Sequence, residues 1–172
     1  MVSIFKMKPK IIENYLSPIK FTLLRDTILS SRFPWFYQAN VAKEDEAEKY
    51  TFGFTHMFYF GKNAQSQHLD ILQPLLSTLK IKTLIRAKAN FYPNQGIQRT
   101  HPPHIDFSYP HKGFLLSLNT TDGYTQFMDG TKVIGKENQA MVFDPSVYHF
   151  SSTPTDTKRR VNVQINYIED EN

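Results

Sequence analysis

The chain has no cysteine among its 172 residues. That excludes disulfides, thiolate zinc sites and cysteine nucleophiles, so any metal here must be held by nitrogen and oxygen. No apolar run approaches the ~20 residues needed to cross a bilayer. The N-terminus lacks an apolar h-region with a small-residue cleavage site. From these absences we expect a soluble, unsecreted protein, located in the cytoplasm. There is no internal repeat and no low-complexity linker. Charge of one sign barely dominates: the net charge is +4, and the basic residues form no tract longer than Lys158-Arg159-Arg160. A mild excess of this kind fits an ordinary soluble surface better than a nucleic-acid-binding one.

Hydrophobic residues make up 40% and aromatic residues 14% of the chain, enough for a packed core. The length fits one domain, residues 1–172. Residues 10–16 read as a short strand. Ser17-Pro18 reads as an N-cap with proline in the first turn, followed by a helix carrying Ile19, Phe21, Leu23, Leu24, Ile28 and Leu29. The aromatic run 33–37 ends it and is read as packing. Residues 42–49 form a solvated acidic segment. Residues 50–60 read as a strand with a structural His56. Leucines 69, 72, 75, 76 and 79 form a helical stripe, with His68 on its surface. From residue 82 the pattern alternates: Ile85, Ala87, Ala89 and Phe91 on one face, Arg86, Lys88, Asn90 and Tyr92 on the other. Strand-like runs follow at 114–119, 124–127, 140–143 and 160–167, separated by turn residues. Helices first and short strands after predict a mainly β domain, a sandwich or jelly roll with N-terminal helices packed on one sheet.

The segment "HPPHIDF" (101–107) carries the first chemistry. In an extended segment His104 and Asp106 point the same way, and the prolines favour that conformation. An imidazole and a carboxylate make half a site for Fe(II), Mn(II) or Zn(II), and a second histidine from a distant strand would complete a two-histidine, one-carboxylate face. His149, 45 residues beyond His104 at the end of "MVFDPSVYHF", is the best third ligand. His101 and His111 compete, but they flank the first pair and bring no second strand. In "RRVNVQINY" the residues Val161, Val163, Ile165 and Tyr167 form an apolar stripe, and Arg160, Asn162, Gln164 and Asn166 a polar one. A strand on an outer sheet looks like this, and so does one lining a polar cavity. On the cavity reading Arg160 points inward and wants an anion.

These residues resemble a family. His104-x-Asp106, His149 and Arg160 in this order are similar to the motif of the 2-oxoglutarate- and Fe(II)-dependent dioxygenases, in a prolyl-4-hydroxylase-like branch frequent in marine phages and bacteria. "FYPNQG" (91–96), "LSLN" (116–119), "DGYTQF" (122–127) and "MVFDPSVYH" (141–149) resemble further segments of that branch. Two positions depart from it: Tyr124 stands where the family has a second glycine, and Ser117 where animal prolyl hydroxylases carry a cosubstrate-binding tyrosine. The resemblance implies a double-stranded β-helix (jelly roll) with helices on its major sheet, residues 82–168 as core and 1–81 as support. It implies Fe(II) on His104, Asp106 and His149, and 2-oxoglutarate on the metal with its far carboxylate on Arg160 and Tyr92 nearby. It also implies O2 as co-reactant, with succinate and CO2 as products. The substrate it points to first is a prolyl or other peptide side chain, then a small molecule. Nucleic acid comes third, and no membrane is involved; if a phage encodes the protein, the host cytoplasm is the expected place. Two other readings compete: a non-catalytic jelly-roll binding module and a cupin-type metal enzyme.

Overall fold

A computed structural model describes residues 8–41 and 50–170. The acidic segment 42–49 lies outside the described residues. Eleven strands and two α-helices are described, in the order β1 (Lys10–Ile12), α1 (Pro18–Leu29), β2 (Phe36–Gln38), β3 (Gly53–Phe60) and β4 (Asn63–Ala64). A 3-10 turn (Leu69–Leu72) and α2 (Gln73–Leu76) come next. They are followed by β5 (Ile81–Pro93), β6 (Lys112–Ser117), β7 (Tyr124–Phe127), β8 (Lys132–Ile134), β9 (Ala140–Phe143), β10 (His149–Ser151) and β11 (Arg159–Glu169). The major sheet runs β1-β9-β6-β11-β5-β3-β2, with β4 on β3; the minor sheet runs β10-β7-β8. Two isolated bridges, Thr100 to Ser152 and His104 to His149, lay residues 100–104 along β10. Two facing antiparallel sheets of this kind make the jelly roll that the sequence predicts.

The long strands form where alternation is strict. On β5 and β11, Ala87, Ala89, Val161, Val163 and Ile165 are fully buried and share one hydrophobic cluster with Phe21, Leu24 and Ile28 of α1. That is the outward face of the major sheet, covered by the helix. Small Ala87 and Ala89 beside branched residues give a surface on which a helix can lie closely. The predicted helix forms, but Ser17 gives it no side-chain cap. Ile19 and Leu23 also point away from the core, 83% and 65% exposed. Phe21, Leu24 and Ile28 already fill the i, i+3, i+7 face that meets the sheet, so the other apolar positions have nothing left to bury against.

The leucine stripe at 69–79 folds as a 3-10 turn and one turn of α-helix rather than a continuous helix. Pro74 sits at its centre, lacks an N–H to donate and clashes with the preceding turn, so the segment breaks there. Leu72 and Leu75 are still fully buried. His56 is structural as expected: its two ring nitrogens bond the Pro34 carbonyl (2.8 Å) and the Ser66 hydroxyl (2.7 Å). Among the described residues no helix is long and apolar enough to cross a membrane.

Candidate metal centre and its cavity

The inner face of the major sheet is built from two polar strand faces laid side by side. In the β5–β11 register Tyr92 pairs with Arg160, Asn90 with Asn162, Lys88 with Gln164 and Arg86 with Asn166. All eight residues point toward the minor sheet, because residues two apart share a face. The polar stripe of β11 therefore lines a cavity and does not face solvent. Arg159, on the other parity, reaches the helix side, where its guanidinium lies 5.7 Å from the Phe91 ring centroid.

The minor sheet supplies the opposite wall. His104 and His149 face each other across the isolated bridge, joined by two backbone hydrogen bonds of 2.9 and 3.0 Å. Their ring centroids are 4.7 Å apart. Asp106 lies two residues beyond His104, and one ligand atom from each of the three side chains falls within 4.8 Å of the others. The three predicted ligands thus come together. His101 and His111 do not join them. His101 is buried against Tyr92, its Nδ1 2.7 Å from the Ser151 hydroxyl. The Nε2 of His111 accepts from Asn166 at 3.1 Å.

Protonation fits a metal. The Nδ1 of His149 donates to the Val147 carbonyl (2.9 Å), and that of His104 to the Pro102 carbonyl (3.3 Å). A carbonyl only accepts, so each Nδ1 carries the proton and each Nε2 keeps its lone pair. Burial, followed by the repulsion of His149, pushes the His104 pKa down to about 4; burial also lowers His149. Both imidazoles are neutral at pH 7.

Asp106 is ionised. Burial opposes its charge, but Arg86, Lys88, His149 and the Asn166 amide outweigh it and hold the carboxyl at about 2. Its Oδ2 accepts from Gln164 (2.6 Å) and Asn166 (2.9 Å), which fills that oxygen; Oδ1 accepts only from Arg86 (2.6 Å) and keeps a lone pair. The donor set is two neutral imidazole nitrogens and one carboxylate oxygen. That suits a first-row divalent ion such as Fe(II).

The cavity joins this cluster to Arg160: His104, His149, Tyr92 and Arg160 all line it, with Leu115 and Phe143 as apolar wall. Arg160 is 3% exposed. It donates to the carbonyls of Tyr124 (2.6 Å) and Ser152 (3.3 Å) and to the Thr125 hydroxyl (2.9 Å). All of these are neutral oxygens, and burial lowers the guanidinium pKa to about 10. A buried cation without a counter-ion is costly and is stabilised by an anion in the cavity. Tyr92, 7% exposed, lies beside it, its phenol pKa raised by burial. The Nδ2 of buried Asn162 also lacks a partner among the described residues. Of the two departures from the motif, Tyr124 lends its carbonyl to Arg160 and turns its hydroxyl to Thr100, 3.1 Å away. Ser117 is buried near the Gly135 position.

The roles of Arg86, Lys88, Gln164 and Asn166 were not assigned from the sequence. A signal for them was present: the alternation in "TLIRAKANFYP" and "RRVNVQINY" already puts them on the faces of Tyr92 and Arg160.

No protein-family model matches this sequence, and no curated protein matches it. Solved structures do resemble the chain. A Trichoplax adhaerens prolyl hydroxylase, solved with a hypoxia inducible factor oxygen degradation domain peptide fragment, is similar over 94% of this chain and 83% of its own, with TM-score 0.66 and 12% identity. A Pseudomonas putida prolyl-4-hydroxylase is similar over 94% and 92%, with TM-score 0.59 and 13% identity. The epimerase SnoN, in complex with Fe3+, alpha ketoglutarate and nogalamycin RO, is similar over 94% and 78%, with TM-score 0.64 and 9% identity. The chain has the fold of the 2-oxoglutarate/Fe(II) oxygenases, prolyl hydroxylases among them.

Proposed function

We infer that the protein is an Fe(II)- and 2-oxoglutarate-dependent oxygenase that hydroxylates its substrate. The observation that carries this reading is the pairing of two features in one cavity. Three ligand atoms lie within 4.8 Å of one another at one place, and a buried arginine whose hydrogen-bond partners among the described residues are all neutral lies at another. In this reading the Nε2 atoms of His104 and His149 and the Oδ1 of Asp106 hold the metal. Arg160 pairs with the far carboxylate of 2-oxoglutarate, and the Tyr92 hydroxyl bonds to it from the side. Iron and 2-oxoglutarate bound there would supply the oxidising chemistry, converting 2-oxoglutarate and O2 to succinate and CO2 while a substrate C–H becomes C–OH.

The chain's own residues bind, orient and exclude. Gln164, Asn166 and Arg86 fix the Asp106 carboxylate so that one oxygen is offered. The Val147 and Pro102 carbonyls fix the imidazole tautomers. Leu115 and Phe143 keep bulk water from the cavity wall. Relatives with this fold have been solved with a peptide and with a small molecule, and both substrate classes stay within this reading.

The test is anaerobic addition of Fe(II) and 2-oxoglutarate. Chelation should give a visible charge-transfer band, which His104→Ala and His149→Ala abolish. Arg160→Ala should raise the 2-oxoglutarate concentration needed. A wild-type protein that shows neither band nor succinate in air would leave a binding module as the reading.

A further inference from the structure

The cavity does not end at β5. Beyond it the inner face continues onto β3 and β2 as a second recess, which shares Val41, Lys88, Asn90 and Tyr92 with the metal cavity. The strand register explains the continuity. Thr55 lies opposite Asn90 and Met57 opposite Lys88 on β3, and Gln38 lies opposite Gly53 on β2. The recess is polar, with Gln38, Asn40, Thr55 and Asn90 in its lining, and among the described residues that line it none is acidic.

Lys88 stands at the junction and is the one cation among the described residues of that lining; burial lowers its ammonium pKa to about 7, and an anion beside it would raise it again. Among the described residues its ammonium has no ion-pair partner within salt-bridge distance. The proposed cosubstrate anchor lies elsewhere. Lys88 pairs with Gln164 in the register, and Arg160 pairs with Tyr92, four residues further along β5. At ~3.3 Å per residue that separates the two rows by about 13 Å. The two cations therefore stand on separate rows of the sheet, Arg160 at the far end and Lys88 where the metal cavity meets the recess.

We propose that the recess beside Lys88 is the substrate's binding place and that it takes a carboxylate-bearing group of amino-acid size. This rests on the oxygenase reading above. Its size agrees: the recess encloses about 130 Å³, below the roughly 300–1,000 Å³ of pockets for drug-sized ligands. The amides of Gln38, Asn40 and Asn90 supply further hydrogen bonds, and a carboxylate on Lys88 would hold the substrate against the open side of the metal face.

The test uses the full chain loaded with Mn(II), which does not turn over, and saturated with 2-oxoglutarate. It is titrated calorimetrically with the L-amino acids, their carboxamides and tripeptides ending in the same residues. At least one free acid should bind roughly tenfold or more tightly than its carboxamide, the worth of one charge-assisted contact. Lys88→Met should erase that difference and Lys88→Arg should keep it, and Lys88→Met should weaken 2-oxoglutarate far less than Arg160→Ala does. A tripeptide that binds as well as the free acid also supports the proposal and identifies a peptide C-terminus as the source. The proposal is overturned if no acid outbinds its carboxamide, or if the preference survives Lys88→Met. It is overturned as well if Lys88→Met weakens 2-oxoglutarate as much as Arg160→Ala does, since Lys88 would then be a cosubstrate contact. Failure of the Mn(II) protein to bind 2-oxoglutarate at all would instead overturn the oxygenase reading, and this proposal with it.

Discussion

Gly123→Ala tests the anion anchor without replacing it. A Cβ built on Gly123 would sit 2.7 Å from Cδ of Arg160. Carbon atoms in ordinary contact are ~3.5–4.0 Å apart, so the arginine stem must retreat by about 1 Å. It has little freedom to do so, because its guanidinium is held by the Tyr124 and Ser152 carbonyls and the Thr125 hydroxyl. We expect a stability cost of roughly 1–3 kcal/mol from overpacking. We also expect loss of one charge-assisted hydrogen bond to 2-oxoglutarate, about 1.5–3 kcal/mol, equivalent to a roughly ten- to hundredfold weaker affinity. The assay is titration of the anaerobic Fe(II) protein with 2-oxoglutarate, read by the charge-transfer band. Affinity for the metal alone should not change, because the three ligands hang on other segments. A Gly123→Ala protein that is folded and binds 2-oxoglutarate like wild type would refute the anchor role of Arg160.

Other expectations follow from the cluster around Asp106. Gln164→Leu removes one of the two donors on Oδ2, so the carboxylate loses its fixed orientation and metal affinity should fall about 10–100-fold; metal titration followed by calorimetry checks this. Arg86→Met removes the main attraction that keeps Asp106 near pKa 2. Its pKa should rise toward the usual carboxylate range, and metal binding should be lost at a higher pH than in wild type. The metal-free protein should also lose stability in acid. His101 and His104 have pKa values depressed to about 3 and about 4 in the folded chain, both mainly by burial. Unfolded, they titrate near 6.5. Between those limits the unfolded chain binds more protons, so stability is full above pH 6.5 and falls as pH drops, at up to about 1.4 kcal/mol per pH unit for each histidine. Denaturant melts at pH 7, 6, 5 and 4.5 should show this slope; a flat profile would mean the two rings are not buried neutral.

The parts of the site legible in the sequence were those whose signal is local. His104 and Asp106 are two residues apart, and the polar and apolar faces of β5 and β11 alternate without a break, so their inward residues could be named. His149 could be named as the third ligand from its place in the ordered motif, although its meeting with His104 depends on pairing between distant segments. His149 meets His104 across a single bridge between short, irregular strands, and nothing in residues 149–151 alone announces a strand. The three-residue β8 and β10 carry too few residues for periodicity to register. The role of Lys88 was invisible for a different reason. Its position on the polar face was evident, but the recess beside it is formed by Gln38 and Thr55 from strands whose register is fixed only by the folded sheet, and by Asn40 just beyond β2. In the N-terminal region the leucine spacing was right and the element was not, because Pro74 cuts the helix that the spacing alone would build.

The most direct test of the central claim is a crystal structure of the Mn(II) protein with 2-oxoglutarate. We expect an ion bonded to the Nε2 atoms of His104 and His149 and to Oδ1 of Asp106 alone, with the distal carboxylate of the cosubstrate on the Arg160 guanidinium. An ion seated elsewhere, or a cosubstrate whose distal carboxylate avoids Arg160, would contradict it.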